Sequence, residues 1–164
     1  MPHTVAPELH GPRALPPGTP APLFRLQDIS GRRIALRASR GQRVVLVFFT
    51  DGQARTSIDL LRQCQGALPT LEQLGARLLA VSVEPVALHL DLSFPLLTDP
   101  DGAVARAYGV YWHNAEASYH AAFILDENET VRWSGVSPAG SHPDVGTLVR
   151  ALARLPRRIE LAAA

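Results

Sequence analysis

Residues Val44 to Phe49 read VVLVFF, an unbroken apolar run rich in β-branched and aromatic side chains. A strand of that kind needs cover on both faces, so it belongs in the middle of a sheet with other elements packed above and below it. From Ser57 onward the apolar positions Leu60, Leu61, Cys64, Leu68 and Leu71 recur at helical spacing. The run Arg77 to Val83, RLLAVSV, is a second buried strand. Strand, helix and strand at this separation make a βαβ unit, which requires a parallel pair and a right-handed crossover. Within the helix, Pro69 predicts either a kink or the first turn of a second helical piece. Gly75 closes it as a C′ residue.

The flanking segments complete an α/β architecture. Seven of the 14 prolines fall in the first 22 residues, which predicts an extended or disordered lead-in over 1–22. Order is expected from Leu23, in a domain spanning 23–155, with a frayed tail over 156–164. LFRLQDISGRRIALRAS alternates apolar and polar residues about a turn at Ser30-Gly31 and reads as an N-terminal β-hairpin. FPLLTDPDG supplies a brief strand and a turn, and AVARAYGV a short helix. Ala121–Asp126 and Thr130–Gly135 form an antiparallel hairpin. Asp144–Leu155 is an amphipathic helix with Val145, Leu148, Val149 and Leu152 inward.

Composition removes several function classes. All 16 basic residues are arginine, so a P-loop lysine, a Schiff base and a lysine nucleophile are excluded. One cysteine, Cys64, excludes an intrachain disulfide, a Cys-x-x-Cys couple and a cysteine-built metal centre. A net charge of +1 gives no reason to expect a nucleic-acid or membrane partner. The start, MPHTVAPELH, lacks the basic-then-apolar order of a signal peptide, which makes a cytoplasmic protein the expectation.

Five strings resemble the peroxiredoxins of the alkyl hydroperoxide reductase/thiol-specific antioxidant family: PAPLFRLQDISGRRIAL, RGQRVVLVFF, LGARLLAVSVE, FPLLTDPDGAVARAYGV and AAFILDENETVRW. They occur in the family's order over Pro20 to Trp133. The resemblance implies a thioredoxin-like fold of the peroxiredoxin type: a central mixed sheet flanked by helices, with the N-terminal hairpin. It also implies a pocket built from a Pro-x-x-x-Thr-x-x-Cys segment after the central strand and an arginine before the later hairpin. In such a pocket the helix N-terminus and the arginine lower the thiol pKa, and the thiolate attacks the peroxide O–O bond to become a sulfenic acid. Counting back from Gly75, which matches the family's loop glycine, places the attacking position at Ser57, the proline at Thr50 and the threonine at Ala54. The arginine position falls on His120. All four are changed, and a hydroxyl is a far poorer nucleophile than a thiol and forms no sulfenic acid.

Each candidate has a plain and a sharp reading. Ser57 either caps or begins its helix, with Thr56-x-x-Asp59 similar to a capping box, or joins His120 in a dyad. That dyad needs the two side chains within about 3 Å and a third group orienting the histidine, and no orienting acid is apparent. Cys64, about 10 Å further along the axis, is a core residue beside Leu60, Leu61 and Leu68, or else a reactive thiol. Trp112 and Tyr119 are pocket rim, or core edge and dimer interface. The histidines His3, His10, His89, His113, His120 and His142 lack ligand spacing, so neither a metal nor a cofactor is expected. The short segment PVALHLDLS, where the family has a fuller helix, predicts an opened or reshaped site.

The expected function is that of a peroxiredoxin-family protein with little or no peroxidase turnover and a binding or regulatory role. The resemblance leaves a hydroperoxide or other small molecule as ligand and a homodimer as assembly. The alternative is a weak thiol peroxidase acting through Cys64.

Overall fold

The computed structural model describes residues 12–50, 55–84, 91–112, 117–137 and 141–156. Strand β1 (Arg25–Asp28) and strand β2 (Arg33–Ala35) form the expected hairpin, with Gly31 at φ +86° in its turn. A 3-10 turn over Leu36–Ser39 leads to β3 (Arg43–Phe49). Helix α1 (Arg55–Gln73) and β4 (Ala76–Ser82) complete the βαβ unit. Then come β5 (Leu96–Thr98), α2 (Ala103–Ala107), β6 (Tyr111–Trp112), β7 (Ala117–Ser118), β8 (Ala121–Leu125), β9 (Val131–Val136) and α3 (Val145–Arg154).

Seven strands form one mixed sheet in the order β2-β1-β5-β4-β3-β8-β9. Strand β3 runs parallel to β4 and antiparallel to β8, so the VVLVFF run has a neighbour on each side. Its side chains alternate between two cores, as strand pleating demands. Val44, Leu46 and Phe48 face a layer with Leu79, Val81, Leu97, Tyr108 and Phe123. Val45, Val47 and Phe49 face α1 and α3 through Leu60, Leu61, Leu71, Leu148 and Leu152. The fold is thus the expected thioredoxin-like α/β sandwich with helices on both faces. Among the described residues, no helix is long and apolar enough to cross a membrane.

Pro69 lies inside α1 without dividing it. Losing one backbone N–H and crowding the preceding turn costs about 3 kcal/mol, and the flanking Leu68 and Leu71, both buried against the sheet, hold the helix together. The described part of α1 runs from Arg55, so Thr56 and Ser57 lie inside the helix, and the Thr56-x-x-Asp59 capping-box reading is corrected.

The described part of the lead-in is hydrogen-bonded to the body. Leu15 N–H donates to the Tyr108 carbonyl at 3.2 Å, Gly18 N–H to Val131 at 2.7 Å and Ala21 N–H to Glu129 at 2.8 Å. Prolines cannot donate, but the residues between them can, so an extended proline-rich strip still hydrogen-bonds an edge. At the other end, the Pro156 carbonyl accepts from Arg43 Nη2 at 2.7 Å.

Gly109, at φ +76°, lets this strip lie close: a Cβ there would run into the Arg13 carbonyl. Gly109→Ala combines that clash with a left-handed backbone. It is expected to cost about 2 kcal/mol in a urea melt, and a loss under 0.5 kcal/mol would mean the strip contributes little.

Candidate functional site

The antiparallel register pairs Phe48 with Ala121, so the carboxyl end of β3 lies beside the residues that enter β8. Thr50 follows β3 and His120 precedes β8. Ser118 Oγ donates to the Phe49 carbonyl at 3.0 Å and Ser82 Oγ to the Thr50 carbonyl at 3.1 Å, fixing this corner of the sheet. The first turn of α1 brings Ser57 to the same place. Clefts outside the carboxyl ends of parallel strands are where α/β folds put their sites.

Ser57 Oγ and His120 Nε2 are 2.9 Å apart. Thr50 Oγ1 lies 3.4 Å from each of them. On the far side of the ring, His120 Nδ1 is 2.9 Å from the Ser141 carbonyl oxygen. A carbonyl can only accept, so Nδ1 carries the proton; in the neutral ring Nε2 is then the acceptor, and the Ser57 hydroxyl donates to it. Ser57 is fully buried and His120 nearly so. Burial pushes the His120 pKa below the ordinary imidazole value; the Ser141 carbonyl opposes that shift and His142 adds to it. The ring is therefore neutral at neutral pH. In acid the unfolded chain takes up this proton first, so the site contributes stability that is lost as pH falls below the ordinary imidazole value of 6.5.

The third group that the pair needs is present as a backbone carbonyl. Among the described residues no orienting acid is involved, and no residue type in a sequence signals a main-chain atom in the segment between β9 and α3. Ala54 lies outside the described residues, as do His113 and positions 85–90 of the short segment.

Cys64 is elsewhere. It packs between Leu60, Leu61 and Leu68 in the α1–α3 core at 1% exposure, and burial pushes its thiol pKa up to about 12. Trp112 and Tyr119 stack with ring centroids 5.3 Å apart and planes at 18°. Both are half-buried, Trp112 in the small β6–β7 sheet and Tyr119 just after it, next in the chain to His120. Among the described residues no group of three or more histidine, cysteine or carboxylate side chains is gathered for a metal.

A helix N-terminus set against the carboxyl ends of two parallel strands, with the hairpin β8–β9 closing the corner, is the site geometry of a thioredoxin-like protein of the peroxiredoxin type. The chain belongs to the AhpC/TSA family, whose model matches residues 17–134. Alkyl hydroperoxide reductase E of Mycobacterium tuberculosis is 34% identical over 150 residues, covering 84% of this chain and 96% of that protein. The solved structure of Mycobacterium tuberculosis AhpC superposes with a TM-score of 0.74 at 20% identity, covering 85% of this chain and 92% of that one. A reduced Plasmodium vivax 2-Cys peroxiredoxin gives 0.76 at 19% identity, covering 83% and 93%. At such identities the two structures speak for the fold.

Proposed function

We propose that this AhpC/TSA-family protein has little or no thiol-peroxidase turnover and that its pocket serves binding or regulation. The observation that carries the reading is the position of its single thiol. A peroxidatic sulfur has to be a thiolate that a peroxide can reach. Cys64 is 1% exposed, and its pKa is pushed up to about 12. The polar corner at the head of α1 holds a hydroxyl, Ser57, hydrogen-bonded to a neutral imidazole. Neither group accepts an oxygen atom from a hydroperoxide to give a reducible intermediate. On the family framework Thr50, Ala54, Ser57 and His120 stand at the proline, threonine, cysteine and arginine positions, so every polar function of the peroxidase pocket is replaced.

The ligand in this reading is a small molecule entering beside Trp112 and Tyr119. A homodimer through the same side of the molecule and a cytoplasmic place go with it; sedimentation and fractionation check those two points. The deciding experiment is hydroperoxide consumption with a thioredoxin-type reductant, run beside Cys64→Ala. Both proteins are expected to stay at the buffer rate. Turnover that disappears in Cys64→Ala establishes the alternative, a weak peroxidase exposing Cys64 by local unfolding. Turnover that survives in the variant overturns the reading as well.

A further inference from the structure

We propose that Ser57 and His120 form a nucleophile–base pair that transfers the acyl group of a small, uncharged carboxylic ester through an acyl-Ser57 intermediate. The proposal rests on the reading that no thiol works at this corner, and it names what the corner does instead.

Three features of a hydroxyl nucleophile are in place together. The Ser57 hydroxyl is within 2.9 Å of an imidazole nitrogen, which is the reach a general base requires. The opposite ring nitrogen is held at 2.9 Å by the Ser141 carbonyl. That contact sets the tautomer and aims Nε2 at the hydroxyl, the orienting role that such sites need. The nucleophile also stands in the first turn of a 19-residue helix. N–H groups at the start of a helix have no partner within it. They can donate to the oxyanion that forms when a carbonyl is attacked beside them.

The chemistry balances with water as the only co-reactant. Ser57 Oγ bonds to the ester carbonyl carbon while its proton passes to His120 Nε2. The tetrahedral adduct collapses by breaking the carbon–oxygen bond to the alcohol, which leaves with the proton from Nε2. Water then adds to the acyl carbon and gives a proton to Nε2. The Ser57 oxygen departs, recovers that proton, and a carboxylic acid is released.

The surroundings select the substrate. Among the described residues, the pair is hydrogen-bonded by the Thr50 hydroxyl, 3.4 Å from each member, and by the main-chain carbonyl of Ser141. Neither carries a charge. Burial of both Ser57 and His120 favours a small neutral molecule.

The test uses 4-nitrophenyl acetate on the full chain. Nitrophenol release is followed together with intact mass and peptide mapping. The absence of lysine removes one class of competing acetyl acceptor. Acetylation is expected on Ser57 and is expected to vanish in Ser57→Ala. His120→Asn keeps an amide N–H for the Ser141 carbonyl but has no base. It is expected to fold, by its near-UV spectrum and melt, and to acylate about 100-fold more slowly or worse. For the unmutated chain, the rate is expected to fall in acid as His120 becomes protonated, which tests the pair even where a variant folds poorly. Release no faster than in Ser57→Ala, equal acylation in His120→Asn, or a rate indifferent to pH across the imidazole range overturns the proposal. Because this assay reads Ser57 and peroxide consumption reads Cys64, the two readings fail separately.

Discussion

Iodoacetamide added to the folded chain at neutral pH will leave Cys64 unmodified over the hours in which the urea-unfolded chain is fully alkylated. Two effects close the native-state route. The thiol is 1% exposed between Leu60, Leu61 and Leu68, so the reagent meets it only when α1 separates from the sheet or from α3. Its pKa is pushed up from 9.0 to about 12 by burial, which lowers the thiolate fraction about a thousandfold, and the thiolate is the reacting species. Alkylation therefore follows opening, and its rate reports the free energy of that opening. The same displacement fixes the sign of the alkaline response. Below pH 9 the thiol is protonated in both states and contributes nothing to the difference. Between 9 and about 12 the unfolded chain ionises while the folded chain does not, so stability is lost as pH rises through that window. Urea melts at rising pH check this, and Cys64→Ala is expected to flatten that limb of the curve. Full modification of the native chain within minutes would return Cys64 to the list of reactive thiols and revive the peroxidase alternative.

Arg43→Met is expected to lower stability by about 3 kcal/mol and to loosen α3 first. Arg43 begins the central strand, and its side chain is 3% exposed. Its Nε lies 3.2 Å from Glu127 Oε1. Its two terminal nitrogens reach the carbonyls of Leu152 at 3.4 Å, Leu155 at 3.0 Å and Pro156 at 2.7 Å. The last carbonyls of a helix have no partner within it, and its C-terminal end is negative, so one guanidinium satisfies the end of α3 and a carboxylate together. Removing it takes this donor from the Leu155 and Pro156 oxygens and from Glu127, while Leu152 keeps the N–H of Leu155, and breaking a buried pair costs about 3–5 kcal/mol. The 17% exposure of Glu127 lets water share the load, which places the estimate at the lower limit. Arg43→Lys, with a point charge in place of a fork, should recover only part of the loss. Urea melts give the total, and amide exchange shows whether Leu148 to Leu152 lose protection before β3 does. A loss below 1 kcal/mol would mean the helix end is held by its packing alone.

Much of the scaffold was legible because hydrophobic pattern is a local property with a period. VVLVFF demanded two covered faces, and its odd and even residues do enter different cores. The spacing of Leu60, Leu61, Cys64, Leu68 and Leu71 predicted which side of α1 is buried, and all five are. Other features were hidden for equally physical reasons. A count of prolines does not show that Gly18 and Ala21, between them, supply the donors that the prolines lack. Arg43 carried no sequence signal, because its partners are a glutamate and three carbonyls more than 80 residues away.

The sequence by itself determined the βαβ frame, the family resemblance and the absence of a thiol at the head of α1, since each depends on residue type and spacing along the chain. Only the tertiary structure decided that Ser57 and His120, 63 residues apart, meet at 2.9 Å, and that a main-chain carbonyl holds the ring in place. The β3–β8 register and the crossover of α1 create that meeting. A hydrogen bond depends on tenths of an ångström and on which atom points where, and no periodicity in a sequence encodes that.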